Sequence, residues 1–166
     1  MYKIVLSVFT IAALTLTIST ASFAQKKTAN SASSSGSDYS TGVGLRLDLG
    51  NGGTYVGPAV KHFFTENSAG EAAILFGNSV TYIGAEYSYN GIIPNAAGLK
   101  WNLGIGPQIA LYKGGSDVLL RPFAGLEFKI PQAPLDLGFD WRPAALLTHG
   151  GDFEAGRFGL AFRYTF

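Results

Sequence analysis

The amino-acid sequence predicts an all-β fold: an eight-stranded antiparallel up-and-down barrel that crosses a membrane, its polar interior filled by side chains. Three observations predict it. From Thr41 to Phe166 apolar residues recur with a period of two, in runs punctuated by Gly, Asn, Pro and Asp, the pattern of strands joined by turns. In every one of the eight runs, one parity contains no Asp, Glu, Lys or Arg. The opposite parity holds the charges, yet it is rich in glycine, whereas a water-facing surface carries far more Lys and Glu.

Ahead of the barrel, MYKIVLSVFTIAALTLTISTASFA places Lys3 before an apolar stretch from Ile4 to Ile18 and ends in small residues at Ala21-Ser22-Phe23-Ala24. That arrangement reads as a secretory signal peptide over residues 1–24. Residues 25–40 are Ser-rich and carry no hydrophobic pattern, as expected of a flexible leader. Residues 41–166 form the barrel domain. The chain has no cysteine, so it has neither disulfide staples nor a thiol for a lipid anchor.

The first strand turns Val43, Leu45, Leu47 and Leu49 to one side and Gly44, Arg46 and Asp48 to the other, and ends at Asn51-Gly52-Gly53. In the second, Val56, Pro58, Val60, His62 and Phe64 oppose Gly57 and Lys61. The third sets Ala72, Ile74 and Phe76 against Glu71 and Leu75; the fourth sets Ile83, Ala85, Tyr87 and Tyr89 against Tyr82 and Glu86. In the fifth, Trp101 to Leu111 alternates with Asn102 and Gln108, so its polar parity is expected to carry no charge. The sixth opposes Val118, Leu120, Pro122, Ala124, Leu126 and Phe128 to Arg121, Phe123, Glu127 and Lys129. The seventh opposes Leu135, Leu137, Phe139 and Trp141 to Asp136, Asp140 and Arg142. The last, RFGLAFRYTF, presents Phe158, Leu160, Phe162, Tyr164 and Phe166 on one side and Arg157, Gly159 and Arg163 on the other.

Alternation alone fits a soluble sandwich with its apolar face inward as well as a membrane barrel with that face outward. The polar parity decides for the second. An eight-stranded barrel has an interior just wide enough for side chains, where glycine leaves room for a long Arg or Glu opposite. The inward charges also nearly balance: Arg46, Lys61, Arg121, Lys129, Arg142, Arg157 and Arg163 against Asp48, Glu71, Glu86, Glu127, Asp136 and Asp140. Charges removed from water must be paired, and this set reads as an interior ionic network. With the first strand starting in the periplasm, Phe64, Tyr87, Tyr89, Trp101, Phe128, Tyr164 and Phe166 fall at one rim, as an interfacial aromatic girdle.

Pro58, Pro107, Pro122 and Pro143 interrupt strands where proline removes a ladder donor. They are expected in the outer half of the barrel, with a bulge or loosened pairing. The outer connections, 50–54, 77–80, 113–117 and 148–153, are short, and the longest connection, 91–99, falls on the periplasmic side.

Once the signal peptide takes Lys3 away, basic and acidic residues are equal in number, which argues against a nucleic-acid partner and against a polybasic lipid-surface site. No cluster of His or Cys supports a metal, and no cofactor motif is present. Of the two histidines, His62 lies on the apolar parity near the lower rim. His149 stands beside Thr148 and Asp152, with Ser116 and Asp117 in the neighbouring loop, an inventory for nucleophile, base and orienter. Polar residues in Gly-rich loops are usually turn chemistry, and the chain is not expected to be an enzyme. Tyr82, Tyr112 and Phe153 are expected to point into the outer mouth, where they line a pocket or plug it.

The terminal segment, with Phe158, Leu160, Phe162, Tyr164 and Phe166 at alternate positions, resembles the C-terminal sorting signal of outer-membrane barrels. Residues 41–166 as a whole are similar to the small eight-stranded outer-membrane barrels, OmpA-like and OmpX-like, through VKHFFTENSAGEAAILFG, LDLGFDWRPA and GLAFRYTF. The resemblance implies the outer membrane of a Gram-negative bacterium, lipid as surroundings, barrel-insertion machinery reading the last strand, and a monomer. The expected function is an integral barrel of structural or unassigned role, closed to bulk solute. The alternatives are binding or transport of a small hydrophobic ligand or lipid at the outer mouth and, more distantly, hydrolysis of lipid A.

Overall fold

A computed structural model of the chain describes residues 39–148 and 151–166; the expected signal peptide, the leader up to residue 38 and His149 lie outside the described residues. The elements are β1 (Thr41–Gly50), β2 (Gly53–Phe63), β3 (Ser68–Gly77), β4 (Val80–Ile92), β5 (Leu99–Tyr112), β6 (Gly115–Lys129), β7 (Leu135–Trp141), β8 (Ala144–Leu146), β9 (Phe153–Glu154) and β10 (Arg157–Thr165). From β1 to β7 each pairs antiparallel with its sequence neighbour; β7 then pairs with β10, and β10 returns to β1. The result is a closed eight-strand antiparallel barrel, with β8 and β9 continuing the lines of β7 and β10 past a break. No helix occurs among the described residues.

One end of the barrel, the hairpin end, holds the connections 51–52, 78–79, 113–114 and the one that joins β8 to β9; the other, the termini end, holds the connections 64–67, 93–98 and 130–134 together with Ser40 and Phe166. At the hairpin end, Asn78 (φ 46°) and Ser79 (φ 61°) both adopt the left-handed conformation between the partners Gly77 and Val80. This is the primed two-residue turn whose twist matches that of the flanking strands. At the termini end, β1 and β10 finish together: Ser40 N donates to Phe166 O at 3.0 Å, and Phe166 N donates to Thr41 O at 2.8 Å.

The alternation places large apolar side chains outside, among them Leu45, Val60, Ile83, Leu103, Leu126, Phe139 and Phe162. Inside are Arg46, Asp48, Lys61, Glu71, Arg121, Glu127, Asp136, Asp140, Arg142, Arg157 and Arg163, all buried. Inward glycines give these room. A Cβ at Gly159 would overlap the Asp140 carboxylate and Arg142 Nε, and one at Gly104 would overlap the Phe123 ring.

Several details depart from the sequence reading. The seventh strand is not continuous: it stops at Trp141 and resumes as β8 after Arg142-Pro143. The fifth begins earlier, at Leu99, and so carries an inward charge, the buried Lys100. Tyr39 and Ser40, assigned to the leader, belong to the barrel, because Tyr39 is 6% exposed inside its mouth. The prolines are not gathered in one half: Pro58 and Pro122 stand at the centres of β2 and β6. Exposed aromatics are not confined to one rim either, since Phe76, Tyr112 and Phe153 stand exposed at the hairpin end. Tyr112 and Phe153 therefore do not fill the mouth; Tyr82, which stacks edge-on against buried Tyr55 with centroids 4.7 Å apart, does.

The prolines do loosen pairing. Pro58 interrupts the ladder toward β3, Pro107 toward β4 and Pro122 toward β7 and β8, each on one side only, whereas at Pro143 the ladder lapses on both sides, toward β6 and toward β9 and β10. The register on either side, Ala124↔Trp141 and Leu120↔Ala145, sets Pro122 directly opposite Pro143. Neither has an N–H to give.

Candidate functional site

The chemistry of this molecule is concentrated in its interior, to which every strand line of the wall contributes. Near mid-height Arg142 grips Glu86 with both terminal nitrogens, at 2.8 and 3.1 Å, and turns its Nε to Asp140. Asp140 also accepts from Arg46 Nη2 at 2.5 Å, and Arg46 reaches Glu71. Glu71 is shared with Arg163, which donates to Asp136 at 2.7 Å. Lys61 donates to Asn90 Oδ1 at 3.0 Å and to Glu127. Planar guanidinium forks bridging successive carboxylates suit a cavity without water, because each fork satisfies acceptors in fixed directions.

A second group lies closer to the hairpins. Arg121 Nη2 and Arg157 Nε donate to the two oxygens of Asp48 at 2.8 and 3.0 Å. Arg121 Nη1 donates to Gln108 Oε1 at 2.7 Å. Its remaining donors go to the wall: Nε to Pro143 O at 3.2 Å and Nη2 also to Arg142 O at 2.9 Å. Arg121 thus supplies from inside the donor to the Pro143 carbonyl that Pro122, facing it, lacks.

Lys129 stands apart from the interior network to which its parity assigned it. Its ammonium donates to the carbonyls of Ile130 and Ala133 in the turn that follows β6. Two members went unnoticed in the sequence. Lys100 lies over the Phe63 ring at 5.5 Å from its centroid. Tyr39 donates to Glu127 at 2.6 Å and to Asp136 at 3.3 Å, reaching from the chain just before β1 to the wall of β6 and β7. Burial and the charges of Glu127 and Asp136 push the Tyr39 phenol above its ordinary value, so it stays a donor. The signal for Tyr39 was one aromatic at the end of a Ser-rich tract, and for Lys100 its even numbering with Asn102.

Among Arg46, Glu71, Asn102 and Arg163 the enclosed space is about 10 Å3, about the volume a single water needs. Above the ion pairs the interior turns apolar: Ala110, Leu119 and Ala144 are buried, with Val80, Tyr82 and Leu146 packed against them.

The girdle residues Phe64, Tyr87, Tyr89, Trp101, Phe128, Tyr164 and Phe166 are all exposed on the outer face. Tyr89 lies 5.8 Å from Trp101 and Tyr164 5.1 Å from Phe166, centroid to centroid. On β10, Phe158, Phe162, Tyr164 and Phe166 are exposed outward and Leu160 is half-buried. In the hairpin loops Thr148 Oγ1 donates to Asp117 Oδ1 at 2.7 Å, and Asp152 accepts from Phe153 N. The first joins two neighbouring connections across 31 residues of sequence, and the second is local turn chemistry. His62 meets Thr41 Oγ1 at 2.9 Å on the outer face, across the register pair that joins β1 to β2.

No family model matches this chain, and no curated protein or solved structure is detectably similar to it. What the fold and interior define is a class: a closed eight-strand antiparallel β-barrel with an ion-paired interior and an apolar outer face.

Proposed function

We propose that the chain is an integral outer-membrane barrel of structural role, closed to bulk solute and monomeric. The observation that carries this reading is the inversion of polarity. Side chains such as Leu45, Leu103, Phe139 and Phe162 are about half exposed, while Arg46, Arg121, Asp136 and Asp140 are buried. In water this arrangement is unfavourable on both counts; in a bilayer the outer face is at home and the backbone, closed into a barrel, leaves no open edge. The tightly filled interior supports closure to solute. The outward residues of β10 support a role for that strand in insertion, where the barrel-insertion machinery of a Gram-negative envelope is the partner.

The test is a gel of the outer-membrane fraction with and without heating, for the full chain and for a chain lacking Phe166. A folded barrel migrates anomalously until heated, and loss of Phe166, whose backbone closes β10 on β1, lowers the amount in the membrane several-fold. A protein recovered soluble from the periplasm, migrating alike hot and cold, overturns the reading. The second reading, a small apolar ligand at the outer mouth, is favoured by the apolar cluster of Ala110, Leu119 and Ala144 beneath the hairpins. Arg142→Met separates the two: a structural core loses stability, whereas a ligand mouth loses uptake with the barrel still folded.

A further inference from the structure

The outer face is not uniformly rough. On the wall of β2 to β5, the register partners Ala72 and Ala85 are small outward residues that form the floor of a depression of about 540 Å3, and at its end the Phe64 ring lies over Gly70. Phe64 and Tyr87 stand at its termini end, and Val60 and Pro107 flank it. A second depression of about 350 Å3, past Pro58 and Ile83, shares Val60 and Ala72 with the first. The two make one groove running from the aromatic rim toward mid-height. The ladder is interrupted beside both depressions, at Pro58 toward β3 and at Pro107 toward β4.

Polar groups occur at one end of this groove. Tyr87 donates its hydroxyl to Ser68 Oγ at 2.9 Å, which leaves the Ser68 proton to give. His62 is the register partner of the lining residue Gly70, and its ring meets that of Phe64 at 5.5 Å. The opposite wall offers a contrast: the depression there, bounded by Leu126, Phe139 and Phe162, is about 260 Å3 and has only apolar side chains and backbone on its lining. Glu71 and Glu86 also border the groove, but their carboxylates turn inward to Arg46 and Arg142. A groove of ligand-pocket size, roughly 300–1,000 Å3, with outward side chains that are apolar along its length and donors at the rim matches one amphiphile.

Resting on the membrane reading above, we propose that this groove is a specific site for a phospholipid: an acyl chain lies on Ala72 and Ala85, against the edge of the Phe64 ring that covers Gly70, and the phosphate accepts from Ser68 and His62 at the rim. A second copy of the chain would need a broad complementary face and would gain nothing from donors gathered at one end. Small residues let a partner approach the backbone closely within a membrane, and here they are flanked by side chains that hold a single chain in line.

Native mass spectrometry of the barrel purified in detergent, titrated with phosphatidylethanolamine and phosphatidylglycerol, tests this, with the heated and unheated gel run in parallel. The wild type is expected to retain phospholipid, and Ala85→Phe to weaken retention about tenfold or more, or about 1.4 kcal/mol, with its heat shift unchanged. If Ala85→Phe fails to fold, the pair Tyr87→Phe and Ser68→Ala serves instead, weakening retention several-fold from the headgroup end. Wild type that binds no lipid, or an Ala85→Phe barrel that binds as well, overturns the site while a normal heat shift leaves the membrane reading standing. A dimer that Ala85→Phe abolishes assigns the groove to a second copy and likewise overturns it. Absence of any heat shift in the wild type overturns both.

Discussion

Two seams of this barrel are built in opposite ways. Where β1 meets β10 the ladder runs unbroken from Gly42↔Thr165 to Gly50↔Arg157, and backbone alone closes the wall. Where β6 meets β7 and β8, Pro122 faces Pro143 and the ladder lapses between Ala124↔Trp141 and Leu120↔Ala145. There a side chain from the interior, Arg121, takes over, donating to the carbonyls of Arg142 and Pro143. The comparison teaches that a closed wall needs its acceptors satisfied, and that the donor can come from the next strand or from the core. Proline is tolerated where the core reaches the wall.

The sharpest way to break the comparison is to put a proline into the seam that has no such backing. Phe166 N donates to Thr41 O, so by alternation the odd residues of β1 address β10, and Leu45 faces Phe162 in that ladder. Leu45→Pro leaves a carbonyl of the closing seam without a donor, which on the proposed membrane reading costs several kcal/mol. The expected outcome is loss of the unheated fast-migrating form altogether. Recovery of a normal folded form would mean that the β1–β10 ladder is not what closes the barrel.

Arg121→Met comes next. It removes the surrogate donor and strands Asp48 with one partner, Arg157, in a site where Asp48 is fully buried. Breaking a buried pair from one side costs about 3–5 kcal/mol, and urea unfolding of the barrel in micelles should show a midpoint shift of that order. Arg121→Lys recovers only part, because a single ammonium cannot address Asp48, Gln108 and two wall carbonyls at once. Equal stability of the Lys variant and wild type would reduce Arg121 to a point charge.

Much of this was legible in the sequence and some was not, for definite reasons. Which way each side chain points follows from a period of two, so Arg46 and Asp140 could be assigned to the interior from local sequence. Which partners meet there depends on the stagger between strands, and nothing local to Arg46 names Glu71 or Asp140. Lys100 was hidden because Gly98 and Leu99 blurred the start of β5. The facing of Pro122 and Pro143 needed the register of two strands at once. Tyr39 escaped because its contacts are with Glu127 and Asp136, residues far along the chain. Tyr39→Phe tests that clasp: it keeps the ring against Phe63, 5.2 Å away, and loses hydrogen bonds to charged groups worth about 1.5–3 kcal/mol, again as a shift in the unfolding midpoint.

The smallest effect is the most discriminating, because its sign is opposite. Arg142 N donates to Arg157 O and Leu147 N to Val118 O, so alternation turns the backbone of Pro143 toward β6. Pro122→Val therefore supplies an N–H facing the carbonyl of Pro143, at an outward position where a β-branched side chain is favoured. In the wild-type background that carbonyl already accepts from Arg121 Nε, so the gain is limited to about 1 kcal/mol. In the Arg121→Met background the same substitution replaces a donor that is missing, and its gain should be larger. Unequal effects of Pro122→Val in the two backgrounds, measured as a double-mutant cycle, are the signature of one role shared by backbone and side chain. Equal effects would mean that Arg121 serves Asp48 and Gln108 alone and that the wall at the two prolines is held by something else.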